Sequence, residues 1–308
     1  MHTPRSVSGR VPARISLVLL VGLAVIGLSS CGGSNKTEKL TVSETQSGPK
    51  AFSYTGVRSL SGGTVKITFT NAAKGAQHEL QLVRVDAGHT TDELKATFTK
   101  LIGGNNHVPI PGWLHPAGGV GVLNPGQTAT ATVKLPKGQY YAVDTQSPNT
   151  GPGQNKPLFL TEGALAPFKV TSGSGASLPK TSASVTVKDE PKDSFRFDVS
   201  GLKTGSNSVT FDNTSKEYHH VLAVPLLPGK TLAQAKAALA SNGPPKGPPP
   251  VDFRSLSGSA VADSKSKDVV QLTFAKPGNY VLLCFLTDKD GKGKPHLLRG
   301  LLKEVHVP

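Results

Sequence analysis

The 308-residue chain is poor in sulfur: it has two cysteines, Cys31 and Cys284, and one methionine, the initiator Met1. Two cysteines exclude a multi-disulfide scaffold, and with Met1 removed no thioether remains. Aromatic residues make up 6% of the chain and hydrophobic residues 36%. No apolar run reaches the ~20 residues of a membrane span, so a multispanning membrane protein is excluded, as composition excludes collagen and coiled coil. The Gly-x-x-x-x-Gly-Lys-Ser/Thr phosphate loop, the Gly-x-Ser-x-Gly elbow and His-Glu-x-x-His are absent too, which removes three common routes to catalysis. The formal charge of +14 is spread along the chain without a dense Lys/Arg block interleaved with aromatics. Nucleic acid is therefore a poor fit as a partner, whereas anionic headgroups or an acidic protein suit such a surface.

Glycine (34) and proline (24) are abundant, and with plentiful Val and Thr they favour short strands joined by turns, an all-β chain. At the N-terminus, Arg5, Arg10 and Arg14 precede an apolar run from Ile15 to Leu28, the pattern of an export signal. The segment Leu28-Ser29-Ser30-Cys31-Gly32 that follows resembles the lipobox of bacterial lipoproteins. That resemblance implies lipidation of Cys31, cleavage after residue 30, and an extracytoplasmic protein anchored to the cell membrane through its lipid. Residues 31–50 read as a flexible tether, and the polar stretch 171–184 as a linker between two parts, 51–170 and 185–308.

The two parts repeat one pattern. Thr68-Phe69-Thr70-Asn71 leads after seven residues to His78, and Thr210-Phe211-Asp212-Asn213 after seven to His220. Gly88-His89-Thr90 and Gly229-Lys230-Thr231 each open a short helical pattern. Gly138 to Asp144 matches Gly278 to Cys284; Lys156-Pro157-Leu158 matches Lys294-Pro295-His296; Gly163-Ala164 matches Gly300-Leu301. Each part reads as a sandwich of alternating strands with one short helix.

A strand carrying His, then Gly-x-Tyr-x-x-x-Cys, a loop, His, and Gly plus one residue resembles the cupredoxins, the blue copper proteins of plastocyanin and azurin type. The resemblance implies two tandem cupredoxin-like Greek-key β-sandwiches, and in the second a single copper held by His220, Cys284 and His296. A thiolate with two imidazoles is the soft donor set that suits copper cycling between two oxidation states. His219 is the alternative to His220. Tyr280, Leu282 and Cys284 share one strand face, as do His220, Leu222 and Val224, and this phase favours His220. The family's axial Met position is Leu301, which cannot coordinate, and an axial donor's loss disfavours Cu(II) and raises the potential.

The loop from Cys284 to His296 is long, and such a loop is expected to be flexible. Lys289, Lys292, Lys294 and Arg299 around it could dock an acidic redox partner. The first part keeps His78 but has Asp144 at the Cys position and Leu158 at the loop His position, so it should not hold blue copper. His89, His107 and His115 lack the spacing of a zinc site. Nine histidines are too few for a multicopper oxidase, so electron transfer without catalysis is expected. The alternative is a copper-free surface lipoprotein binding a protein or polysaccharide, with Gly243 to Pro250 as contact surface.

Overall fold

The computed structural model describes residues 36–103, 108–147, 157–241 and 247–308. Cys31 with its lipobox-like segment, His107, and residues 243–246 of the proline-rich stretch lie outside the described residues. Among the described residues no helix is long and apolar enough to cross a membrane.

Alternation of apolar and polar residues sets the strands, and the chain is all-β with one α-helix in each half. The first half comprises β1 (Glu38–Gly48), β2 (Ala51–Thr55), β3 (Thr64–Asn71), β4 (His78–Val85), α1 (Thr91–Gly103), β5 (Leu114–Leu123), β6 (Thr128–Lys134), β7 (Gly138–Val143) and β8 (Leu165–Val170). The second comprises β9 (Ala183–Glu190), β10 (Ser194–Ser200), β11 (Gly205–Asn213), β12 (Leu222–Pro225), α2 (Leu232–Ala240), β13 (Ser257–Gly258), β14 (Lys267–Phe274), β15 (Gly278–Leu283) and β16 (Leu302–Val307). Both helices open where the repeated Gly-x-Thr predicts. Thr90 and Thr231 accept from the backbone N–H three residues on, while Glu93 and Gln234 reach back, a capping box in each half.

Each half packs two four-stranded sheets into a sandwich. The order is β2-β1-β3-β6 against β5-β4-β7-β8 in the first, and β10-β9-β11-β14 against β13-β12-β15-β16 in the second. One core lies between each pair, around Phe69, Leu82 and Tyr140 in the first and Phe211, Leu282 and Phe274 in the second. The helices close further apolar layers on the outer faces, with Leu94 and Phe98 over Val83 and Val143, and Ala235 over Val224 and Val281.

Two boundaries differ from the sequence reading. Residues 38–48, expected within the tether, form β1, which lies between β2 and β3 and buries Leu40 and Val42. Its polar composition comes from the alternate residues that face outward. The stretch 171–182 has no regular structure, as expected of a linker, yet it runs along the first sandwich. Gly63 N–H donates to Ser174 O and Thr64 Oγ1 to Ala176 O, and the second half begins at Ala183.

The halves are joined by more than that segment. β14 pairs antiparallel with β6 through Val269–Thr132 and Val270–Ala131, which makes one eight-stranded sheet across both sandwiches. A second seam runs between β5 and residues 258–261, where Val120 bridges Ser259 and Gly118 N–H donates to Val261 O. Buried Gln81 completes it: its side-chain oxygen accepts from Val261 N–H at 2.7 Å and its amide donates to Val261 O at 3.1 Å.

Candidate metal centre

β12 pairs with β15 in a register that sets Leu222 opposite Leu283, Ala223 opposite Leu282 and Val224 opposite Val281. Residues opposite each other share a face, so Val221 and Ala223 enter the core with Tyr280, Leu282 and Cys284. Leu222 and Val224 face outward beneath α2 with Val281 and Leu283. His219, two residues before Val221, is fully buried on the core side, and a bridge to Ala262 fixes its backbone.

Three donors meet there. His219 Nδ1 and His296 Nδ1 each lie 3.7 Å from Cys284 Sγ, and all three side chains are fully buried. A thiolate about 2.3 Å and an imidazole nitrogen about 2.0 Å from one centre, about 120° apart, stand about 3.7 Å from each other. The spacing therefore suits a trigonal site of two nitrogens and one sulfur, and the donor set fits one copper ion. Leu301 is buried in the same cluster and brings no donor.

The surrounding residues hold this geometry. His296 Nε2 faces Asp288 Oδ1 at 3.1 Å, which places the ring proton on Nε2 and leaves the Nδ1 lone pair toward the sulfur. Arg299 donates to Asp288 Oδ2 at 2.6 Å, pairs with Asp193 at 2.7 Å, and stacks 4.8 Å over Phe195. The Phe195 ring packs on His219 and His296 at centroid distances of 4.8 and 4.7 Å. Gly300 ends the short turn His296–Arg299 at φ 109; a Cβ there would meet Phe195 O at 2.0 Å, so only glycine lets the chain pass close enough. Burial holds His219 down to about 2 and His296 down to about 4, so both imidazoles are neutral at pH 7, the ligating form. Burial pushes the Cys284 thiol up to about 12; a cation must displace its proton to bind the sulfur.

Of the sequence-derived ligands, Cys284 and His296 come together, and His219 stands in the place assigned to His220. The sequence phase paired the His220 face with the Cys284 face, and the observed register pairs opposite parities. His220 instead accepts the Phe285 N–H at Nε2, 3.0 Å away, and lines a cleft of about 310 Å³ with Tyr218, Phe285 and Glu79. It positions the backbone beside Cys284. The expectation of a flexible ligand loop also gives way. Lys289 N–H donates to Glu217 at 2.8 Å, its Nζ donates to Lys216 O, and Ile110 N–H donates to Lys289 O, so the loop is pinned from both halves. Lys289 and Arg299 are thereby committed to internal contacts, and Lys292 lies 3.9 Å from Asp290. Asp288 and Phe195 were missed in the sequence, where nothing marks them as neighbours of His296. Gly247 to Pro249 are exposed, while Pro250 is buried with its carbonyl accepting from Leu227 N–H.

The first sandwich carries a parallel group. His78 Nδ1 lies 2.6 Å from Asp144 Oδ2 and 2.8 Å from Glu44 Oε1, all three residues fully buried. Burial opposes charge on His78, but the adjoining carboxyl groups of Asp144, which accepts from Nδ1, and Glu44 outweigh it and hold its pKa up at about 9. Burial raises Asp144 to about 7 and raises Glu44 too. Asp144 takes the Cys284 place, as the sequence indicated. The residue matching His296 is Phe159 and not Leu158: Phe159 N–H donates to Gln146 O as His296 N–H does to Leu286 O. His89 pairs with Glu93 and stacks on Trp113, and His115 pairs with Asp86; neither joins Asp144.

No protein-family model and no curated protein matches the chain. Among solved structures it is similar to a multicopper oxidase, at 14% identity over 88% of both chains and a TM-score of 0.25. It is similar to the dithionite-reduced auracyanin of Roseiflexus castenholzii, at 20% identity over 44% of this chain and 98% of that one, TM-score 0.30. Auracyanin A of Chloroflexus aurantiacus, a "blue" copper protein, is 22% identical over 43% of this chain and 99% of that one, TM-score 0.29. Likeness at TM-scores this low carries no argument about this chain, whose chemistry is decided by the geometry of its own site.

Proposed function

We propose that this is an extracytoplasmic copper protein of cupredoxin type, held at the cell membrane by a lipid on Cys31, that carries electrons through one copper in its second half and performs no catalysis. The observation that carries this reading is the convergence of two buried, neutral imidazole Nδ1 atoms on the Cys284 sulfur at 3.7 Å. When bound there, copper supplies one-electron chemistry. The chain's own part is to keep the imidazoles unprotonated, to fix the His296 tautomer through Asp288, and to exclude water behind Phe195. Leu301, buried in the same cluster as Cys284, brings no donor, and a set of two imidazoles and one thiolate would favour Cu(I). Lipidation of Cys31 rests on the sequence motif, and an electron-transfer partner on the exposed Lys292 and Lys294 near the ligand loop.

The test is spectroscopic. Protein produced without residues 1–31, given Cu(II), is expected to show an intense visible thiolate-to-copper band. Cys284→Ala and His219→Ala abolish the band, while His220→Ala retains it. A wild-type protein with neither band nor bound copper would overturn the proposal, and a band lost equally in His220→Ala would overturn the ligand assignment.

A further inference from the structure

The first sandwich looks at first like a copper domain that has lost its donors, but its hydrogen-bond pattern, matched to that of the second, shows an exchange of donors. His78 matches His219, and Asp144 matches Cys284: Asp144 N–H donates to Ala164 O and Leu160 N–H to Asp144 O, as Cys284 N–H donates to Leu301 O and Leu297 N–H to Cys284 O. Phe52 and Phe159 pack on His78 at 5.2 and 4.2 Å, as Phe195 and His296 pack on His219 at 4.8 and 4.5 Å. Glu44 stands opposite Asn71, as Val187 stands opposite Asn213. One donor is lost at Phe159 and another is gained from β1, on the facing sheet. A thiolate and two imidazoles give way to one imidazole and two carboxylates.

This group leaves both Glu44 oxygens and His78 Nε2 unserved. A single Nδ1–H between two carboxylates satisfies one of them. Asp144 also accepts from Gln146 N–H at 2.8 Å, whereas neither oxygen of fully buried Glu44 accepts a hydrogen bond and His78 Nε2 has no partner. The Tyr54 hydroxyl, beside Glu44, is committed to Glu79 O. A protonated His78 is one counter-charge for two buried carboxylates, and the charge left over costs several kcal/mol unless a second positive charge reaches it. A divalent cation meets the need of the carboxylates: it takes one oxygen from each and the Nδ1 lone pair, and its two positive charges cancel the two negative ones.

We propose that Glu44, His78 and Asp144 form a second metal site, for a divalent cation of the Zn2+ class, distinct from the copper centre in donor type and in place. Carboxylate oxygens with imidazole nitrogen suit such an ion. Its entry displaces the Nδ1 proton and spreads the donors from 2.6 and 2.8 Å to the separation of about 3.4 Å that tetrahedral bonds of about 2.1 Å require. The ion then joins β1, β4 and the end of β7, tying the two sheets of the first sandwich together at the same end as the second sandwich's site.

The probe is Zn2+, titrated calorimetrically into metal-free protein produced without residues 1–31, with metal content read after gel filtration. Wild type is expected to take up one equivalent more than Asp144→Asn or Glu44→Gln, each near-isosteric and checked for folding by circular dichroism. In each variant the affinity of that equivalent falls at least about 100-fold. Uptake releases protons, read as a dependence of the apparent heat on buffer ionisation enthalpy. Because the comparison is a difference, zinc taken up by His219, Cys284 and His296 cancels, and absence of a blue band leaves the result intact. Equal Zn2+ uptake and affinity in wild type and the folded variants overturns the site. Should both variants fail to fold, the melting temperature of Cys284→Ala decides: a rise with Zn2+ concentration supports the site, and no rise overturns it.

Discussion

At the scale of single residues, the copper centre depends on side chains that never touch the metal position. Asp288 holds the proton-bearing nitrogen of His296 and is itself held by Arg299. Asp288→Asn keeps the shape and weakens the hold on the tautomer; copper affinity is expected to fall about 10–100-fold, measured by competition with a chelator. A second carboxyl reports on the fold's pH response. Burial, reinforced by Asp263, raises Asp268 to about 7 from an ordinary 3.8. The folded state thus binds its proton more tightly than the unfolded chain. The stability linked to that proton is complete below pH ~3.8 and is lost at up to about 1.4 kcal/mol per pH unit as pH rises to about 7. Asp268→Asn removes this dependence, so urea denaturation should show the variant gaining on wild type between pH 5 and pH 8. A constant difference would contradict it. Cys284 and His296 were legible in the sequence because they sit in one ordered motif. His219 was legible only as the alternative to His220, because the choice within the doublet turns on which residue of β12 faces which residue of β15, and period-2 alternation fixes phase only within a strand.

At the scale of elements, composition misled where alternation informed. Residues 31–50 are rich in Ser, Thr, Lys and Glu, yet Leu40, Val42 and Glu44 alternate with polar neighbours in strand fashion and all three are fully buried. Leu40→Ala tests this: a tether residue would be neutral, whereas a core position costs about 2–5 kcal/mol by chemical denaturation. The helices were better marked, since Gly-x-Thr with a Glu or Gln three residues after the Thr carries its own hydrogen bonds. The ligand loop looked long and loose because its partners, Glu217, the Lys216 carbonyl and the Ile110 N–H, come from distant parts of the chain.

At the scale of the whole molecule, two sandwiches share a sheet, and Gln81 imitates a backbone pair with Val261 across the seam. Gln81→Ala leaves the N–H and C=O of Val261 without these partners, and the loss is expected at about 1–3 kcal/mol, with the two halves still unfolding in one calorimetric transition. Separate transitions would mean that the shared sheet does not couple them.

By itself the sequence determined the duplication, the all-β class, the helix starts and the thiol that marks one half for copper. Each of these is written in local order: spacing, alternation, a capping pair. Tertiary structure decided which histidine of the doublet turns inward, that β1 contributes Glu44 to the first core, and that the halves form one sheet. These depend on the register between strands far apart in the chain, which is set by how two apolar faces meet, and a shift of one residue exchanges every inward side chain for its outward neighbour.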